Sequence, residues 1–175
     1  MRPAPSSPSL PVFFERVLVT KFLLSLHVLA AIVAVGPVTV AASMFPPAAR
    51  RAAPGGGAGA SDAARATVTV LHRVCRVYAR VGIAVPVLGL ATALAMGVLG
   101  DGWLIASIAL TAAAAGLLIA FVLPRQDELL EELGAHRPVD RAATVQLGMY
   151  TGLFNVLWAT VTVLMIVRPG STTGA

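Results

Sequence analysis

Four long segments of this sequence contain no charged residue, and they constrain the fold more than any other feature. They cover Phe22–Ala49, Val81–Gly100, Gly102–Pro124 and Ala142–Val167. A helix of about 20 apolar residues is long enough to cross a hydrocarbon core of about 30 Å. Inside a membrane the backbone must satisfy its own hydrogen bonds, which favours helices. The sequence therefore predicts an all-α fold, an integral membrane four-helix bundle.

The composition agrees with a membrane protein and argues against other classes. Of the 175 residues, 57% are hydrophobic and only 12% are charged, whereas a soluble domain carries about 25% charged residues. An ordinary soluble enzyme is therefore excluded. The single cysteine, Cys75, excludes an intrachain disulfide and a cysteine-based metal cluster. We attribute the net charge of +5 to loops that face anionic lipid, so the expected partner is the lipid bilayer and not nucleic acid.

Local sequence divides the chain into three parts. Residues 1–15 begin with a segment rich in proline and serine, which predicts disorder. Residues 16–168 hold the four-helix transmembrane domain, and residues 169–175 form a disordered tail. Within the domain, Pro37 and Pro86 predict kinks because each proline removes a backbone hydrogen bond.

The first apolar segment has a second interpretation. Val40-Ala41-Ala42 is similar to the small-residue site at which a signal peptide is cleaved. However, the leading segment is long and contains Glu15, and the apolar run exceeds a usual signal-peptide core. We therefore expect the span to be retained, which gives four spans and not three.

The distribution of Lys and Arg predicts the orientation. With four spans, the two termini share one side with Asp101, whose glycine neighbours predict a tight turn and an antiparallel hairpin of the second and third spans. That side carries Arg2, Arg16, Lys21 and Arg168. The loops 50–80 and 125–141 carry Arg50, Arg51, Arg65, Arg73, Arg76, Arg80, Arg125, Arg137 and Arg141. Because basic residues favour cytoplasmic loops, we place these loops in the cytoplasm and both termini outside, in a bacterial inner membrane.

His27 is the ionisable side chain that the sequence places nearest to mid-membrane. At helical spacing it shares a face with small residues, which mark contacts between helices in lipid. His27 either ligates a metal or haem, since imidazole is a common ligand, or makes an interhelical hydrogen bond. His72 precedes a series of arginines, and we expect it at the cytoplasmic edge as a solvated or headgroup-level residue. That puts it roughly 20 Å from the depth of His27, too far to share an iron with it.

Basic residues recur along the start of the second span and predict an amphipathic extension near the cytoplasmic surface. They are Arg65, Arg73, Arg76 and Arg80. One role for them is anchoring to anionic lipid, worth about 1 kcal/mol for each basic residue. The other is binding an anionic ligand, such as a lipid headgroup or a carboxylate-bearing porphyrin.

The last span contains polar residues that predict interhelical contacts. Asn155 is expected to hydrogen-bond across the bundle, worth about 0.6–2 kcal/mol. Gln146 and Tyr150 lie one helical turn apart at the start of the span. A role in lining a ligand site is the alternative for all three.

Two motifs carry a resemblance to a known family. Leu26-His27 is followed by Gly36, and after a charged loop His72-Arg73 leads into the second span. This pattern resembles a family of small bacterial integral membrane proteins of unknown function. That family is similar to the copper-resistance D family and to the membrane protoporphyrinogen oxidase family, which is thought to bind haem. The resemblance covers the whole predicted transmembrane domain and implies a four-helix bundle with His27 as a haem-linked position.

The sequence departs from the oxidase pattern in one place. Those proteins are expected to carry a Lys in the third helix, and Gly102–Pro124 has none, which argues against oxidase activity. Methionines are scattered and not clustered, which argues against copper handling.

Three functions follow from these observations. The first is a structural or accessory subunit that packs against another membrane protein or against a second copy, favoured by the small-residue faces. The alternative is a b-type haem protein with a redox or porphyrin-related role, in which His27 is one axial ligand and Tyr150 or a methionine the other. The third is a small-molecule carrier.

Overall fold

The computed structural model describes residues 10–54 and 62–170, and these residues form helices joined by turns. Helices α1 to α6 and one π-helix follow in chain order: α1 Leu10–Ala52, α2 Asp62–Val81, α3 Ala84–Met96, α4 Gly102–Leu117, the π-helix Leu118–Val122, α5 Leu123–Gly134 and α6 Arg141–Val167. No described residue lies in a strand. The all-α prediction is confirmed.

Four helical rods are long and apolar enough to cross a membrane. They are Phe14–Ala52, Asp62–Met96, Gly102–Gly134 and Arg141–Val167. The second rod joins α2 to α3, and the third joins α4, the π-helix and α5. The chain is therefore a multi-pass membrane protein embedded in lipid, a four-helix bundle as the sequence predicts.

The ends of α1 differ from the expectation. The helix begins at Leu10, so residues 10–15 are helical and not disordered. Pro11 is tolerated there because the amide hydrogens of a first helical turn have no partner within the helix. At the other end α1 continues through Pro46 and Pro47 to Ala52, where Phe45 and Ala49 are fully buried against the bundle. The rest of the predicted N-terminal segment and most of the predicted tail lie outside the described residues.

The second rod bends where Pro86 predicts it. Pro86 has no amide hydrogen to donate to the carbonyl of Gly82, so that carbonyl accepts a hydrogen bond from the amide of Val85 at 3.1 Å. The chain turns at Gly82 and Ile83 between α2 and α3. This bend redirects α3 along the first half of α1.

The four rods alternate in direction and define two ends of the bundle. We call the end with residues 50–54, 62–65 and 125–141 the loop end, and the end with the start of α1, the turn at Gly97–Asp101 and Arg168 the terminal end. At the terminal end α3 packs chiefly against α1, whereas α4 packs chiefly against α6. The predicted tight turn is present, but its two helices separate after it and do not form a packed hairpin.

The main core lies toward the loop end. The second half of α1, α2, the π-helix, α5 and the first half of α6 contribute fully buried side chains, among them Phe45, Val68, Cys75, Val122, Leu129 and Leu147. The face of α2 opposite its arginines is apolar and packs against α1 and α5. The amphipathic helix α2 is thus part of the bundle and does not lie flat on the membrane surface.

Candidate functional site

His27 lies on α1 and faces α3 at the terminal end. Its Nδ1 atom is 3.0 Å from the carbonyl oxygen of Val85. A carbonyl oxygen only accepts, so Nδ1 carries the hydrogen and donates it. The expected interhelical hydrogen bond of His27 is therefore present, although its partner is a backbone carbonyl and not a side chain.

Gly89 makes the close packing of His27 feasible. A Cβ atom at position 89 would lie 2.9 Å from Cε1 of the imidazole and 3.3 Å from Nδ1. Every residue other than glycine would displace the ring from Val85. The small-residue face of α3 thus serves to seat this imidazole.

The donated Nδ1 hydrogen decides what the other ring nitrogen can do. With the hydrogen on Nδ1, the Nε2 atom of neutral His27 carries a lone pair. Nε2 has no hydrogen-bond partner among the described residues. Metal-ligating histidines commonly donate their second nitrogen to a backbone carbonyl, which fixes tautomer and ring orientation. His27 is therefore arranged as such a ligand is, with one nitrogen held and the other free.

A cavity of about 980 Å³ opens beside His27 between α1, the end of α3 and the end of α6. This volume lies at the upper end of the range of roughly 300–1,000 Å³ that is usual for ligand sites. Apolar side chains dominate the lining. Its polar or coordinating members are His27, Met96, Trp158, Thr162, Met165 and Arg168.

The cavity contains a donor set that suits haem iron. Histidine and methionine together ligate haem iron in cytochromes c. Met96 and Met165 both line the cavity with His27. Tyr150, the other second ligand that the sequence suggested, does not line the cavity. The residues present therefore fit a haem.

The Tyr150 side chain lies outside the His27 cavity, against the π-helix. Its ring stacks at a tilt on Phe121 of the π-helix with a centroid distance of 5.1 Å. Its hydroxyl accepts a hydrogen bond from Gln146 at 3.2 Å. The hydrogen bond of Gln146 and Tyr150 therefore lies within α6, and not between helices as we expected. The two residues stand one turn apart on the same face, which favours this local pairing.

Asn155 makes its hydrogen bond across the bundle. Its Nδ2 atom donates to Oγ of Ser43 on α1 at 3.1 Å. Its Oδ1 atom is buried and has no partner among the described residues. Asn155 thus ties α6 to α1 and does not line the His27 cavity.

His72 differs from the expectation of a solvated residue. It is 7% exposed. Its Nδ1 atom lies 3.1 Å from Oε1 of Gln126 and its Nε2 atom lies 3.0 Å from Oδ1 of Asp127, both on α5. The amphipathic α5 covers His72, and this contact depends on a helix that follows it by more than 50 residues. His72 does not line the His27 cavity.

The four arginines of α2 do not line the His27 cavity. Arg65 is 2.8 Å from Nε2 of His136, and Arg76 is 3.9 Å from Asp127. Arg73 and Arg80 are exposed. A porphyrin bound at His27 would therefore not meet these arginines, and their contact with lipid headgroups stays a prediction.

Sequence reasoning missed several residues of the site. Gly89 belongs to a stripe of small residues in the second span, one helical turn after Pro86. This stripe could have indicated the helix face that another helix approaches closely. The carbonyl of Val85 had no signal, since every residue has one. Arg168 was counted only among the charges on the side of the termini, because sequence alone does not show that the end of α6 borders the same cavity as α1.

Comparisons with known proteins give no function for this chain, so any functional proposal depends on the geometry of the site. No family model matches the chain, and no curated protein or solved structure matches it. Among the described residues, no group of three or more His, Cys, Asp or Glu side chains could hold a metal ion. The resemblance to haem-linked membrane families stays a prediction.

Proposed function

We propose that this protein binds a b-type haem in the terminal-end cavity, where Nε2 of His27 would hold the iron. One observation carries the proposal: His27 is fixed through Nδ1 by Val85, and its unpartnered Nε2 belongs to a residue that lines a large cavity. An unpaired polar atom inside a membrane is costly, and a metal bond removes that cost. Met96 or Met165, which both line the cavity, would supply the second ligand.

The residues around His27 have separable roles in this proposal. Val85 holds the tautomer, and Gly89 sets how closely the ring approaches α3. The apolar lining keeps water away. Haem, when bound, supplies one-electron redox chemistry, and an apolar site with a His and Met ligand pair raises the reduction potential.

Absorbance spectra of the detergent-purified full-length protein test the proposal. We expect a Soret band and reduced b-type peaks in the wild-type protein and their loss in His27→Ala. His136→Ala is the matched control, since it removes an exposed histidine at the loop end. A colourless wild-type protein after expression with added haem, or an unchanged spectrum in His27→Ala, would contradict the proposal.

The proposed setting is a bacterial inner membrane with loops 50–80 and 125–141 in the cytoplasm and both termini outside. The nine arginines of these loops support this orientation through the positive-inside rule. This orientation is tested by introducing single cysteines into the Cys75→Ala variant and labelling them. A cysteine at Gly134 should react with a membrane-impermeant maleimide only in inverted vesicles, and one at Gly100 only in intact cells or spheroplasts.

A second candidate function is that of an accessory subunit for another membrane protein or a second copy of this chain. A stripe of large, exposed apolar side chains on the first half of α1 favours this function. Its members are Phe14, Leu18, Phe22, Leu29 and Ile32. A photo-crosslinking residue at Leu18 should then capture a discrete protein in membranes. Crosslinks to lipid alone would contradict it.

A further inference from the structure

We propose that Arg168 binds the carboxylate edge of the haem at the mouth of the cavity. This inference rests on the proposed haem site and assigns a role to a residue that the site's iron chemistry does not need. The arginine lines the same cavity as His27. It is the one basic side chain other than His27 among the described lining residues.

The Arg168 side chain is held in place from one side. Its Nε atom donates to the carbonyl oxygen of Met165 at 3.3 Å. Its guanidinium carbon stands 5.6 Å from the ring centroid of Trp103, a distance typical of a cation–π contact. The indole of Trp103 is in turn held by Asp101, to which it donates at 2.9 Å. Two direct contacts, of which the one with Trp103 is supported by Asp101, thus fix the direction of the guanidinium.

The terminal nitrogens of Arg168 are left without a partner. Among the described residues, Arg168 forms no ion pair, and the cavity lining contains no acidic side chain. A guanidinium beside an apolar cavity has an unsatisfied charge, and a planar carboxylate is its best-matched acceptor. The charge complement of this cavity is therefore an anionic group on an otherwise apolar ligand.

The backbone at Arg168 is unusual for its residue type. It ends α6 with φ 45° and ψ 57°, in the left-handed region. Glycine is the usual residue at such a position, and the residue before a proline, here Pro169, is further restricted. Backbone strain of this kind tends to occur at ligand-contacting residues. The turn itself therefore does not explain the arginine, whereas a ligand contact does.

Haem b has two carboxylates on one edge, which matches an apolar cavity with one cation at its rim. The α2 arginines cannot serve this role, because they do not line the cavity. A lipid phosphate presents similar chemistry to Arg168. The two sources differ in one respect: only for haem does the interaction depend on free carboxylates of the molecule that His27 ligates.

Titration of the full-length protein with haem b and with haem dimethyl ester tests the assignment. The apoprotein is placed in nanodiscs that contain phosphatidylglycerol, so a lipid phosphate competes for Arg168. A charge-assisted hydrogen bond of about 1.5–3 kcal/mol predicts that the wild-type protein binds haem b at least tenfold more tightly than the diester. In Arg168→Gln the two affinities should converge at that of the diester, and Arg168→Lys should retain part of the preference.

The outcomes separate the two proposals. Equal affinity of the wild-type protein for haem b and the diester would overturn the role of Arg168, while the haem site would stand. An equal loss of both affinities in Arg168→Gln would also overturn it, since that is the effect of a purely structural role. Binding of neither porphyrin by the wild-type protein would overturn the haem site and this inference together.

Discussion

The two ends of the bundle differ in how fully their polar side chains are hydrogen-bonded. At the loop end, the buried amide of Gln126 joins His72 and Cys75, at 3.1 and 3.6 Å, and all three belong to a dense core. At the terminal end, His27 is bonded through one nitrogen only and borders a cavity of about 980 Å³. Two histidines in one membrane protein thus have different roles. The satisfied one packs inside the core, and the half-satisfied one is the ligand residue of the proposed haem site.

The packing of the two ends follows from the amphipathicity of their helices. Helices α2 and α5 each present one apolar face, so they bury it together and close the loop end. Helices α3 and α4 are apolar on all sides. Lipid satisfies such helices as well as a neighbouring helix does. They separate at the terminal end for that reason, and the gap between α1 and α6 remains open.

The largest expected difference between the two ends is in the cost of truncating a buried aromatic ring. Phe45 is 0% exposed in the core, and Phe22 is 67% exposed on the same helix. Phe45→Ala should lower the free energy of unfolding by about 3–5 kcal/mol because it leaves a cavity. Phe22→Ala is the matched control and should change it by less than about 0.5 kcal/mol. Thermal or SDS unfolding in detergent measures both, and equal losses would remove the proposed contrast in packing.

The next effect concerns the buried amide at the loop end. Gln126→Leu should lower the free energy of unfolding by about 1–3 kcal/mol, because His72 and Cys75 each lose a partner. Haem binding at the terminal end should not change. Unfolding and the Soret band are measured on the same preparation. A loss of the Soret band without a loss of stability would show that the two ends are coupled in a way the structure does not indicate.

Adding one methyl group at Gly89 should affect the terminal end alone. In Gly89→Ala the new Cβ atom would lie 2.9 Å from the imidazole of His27, which must move away from Val85. We expect a stability loss of about 1–2 kcal/mol and a clear loss of the Soret band. Gly116→Ala is the control, since a Cβ there meets nothing within 4 Å. A Soret band that is retained in Gly89→Ala would mean that the position of the imidazole does not matter for the haem.

The smallest expected effect lies between the two regions, where Asn155 donates to Ser43. A double-mutant cycle of Asn155→Ala and Ser43→Ala should give a coupling free energy of about 0.6 kcal/mol, typical of hydrogen bonds between transmembrane helices. Thr160→Ala replaces Ser43→Ala in the control cycle, since the Thr160 hydroxyl bonds only within α6. A coupling of zero would show that the hydrogen bond adds nothing in the membrane.

The cycle can also be repeated after haem is added. A coupling that grows with haem would show that the ligand brings α1 and α6 together. A constant coupling would show that the contact is independent of the cavity.

Parts of the site followed from sequence patterns, and other parts did not. The direction of His27 into the bundle followed from the small residues on its helical face, and the bend before Pro86 followed from the missing amide hydrogen. The burial of His72 did not follow, because the arginines around it indicated a solvated face. The local partner of Gln146 was missed since two residues one turn apart satisfy the same pattern as two residues that face different helices.

The four spans and the all-α class could be predicted from the chain alone. Both depend on local physics, because an apolar segment in lipid must pair its own backbone groups within a few residues along the chain. Which side chains line a common cavity, in contrast, depends on how the helices pack in three dimensions. His27, Met165 and Arg168 line one cavity because two apolar helices diverge and leave α1 and α6 to border one space. That arrangement depends on which helix faces bury each other over long separations, and no short pattern in the chain contains this information.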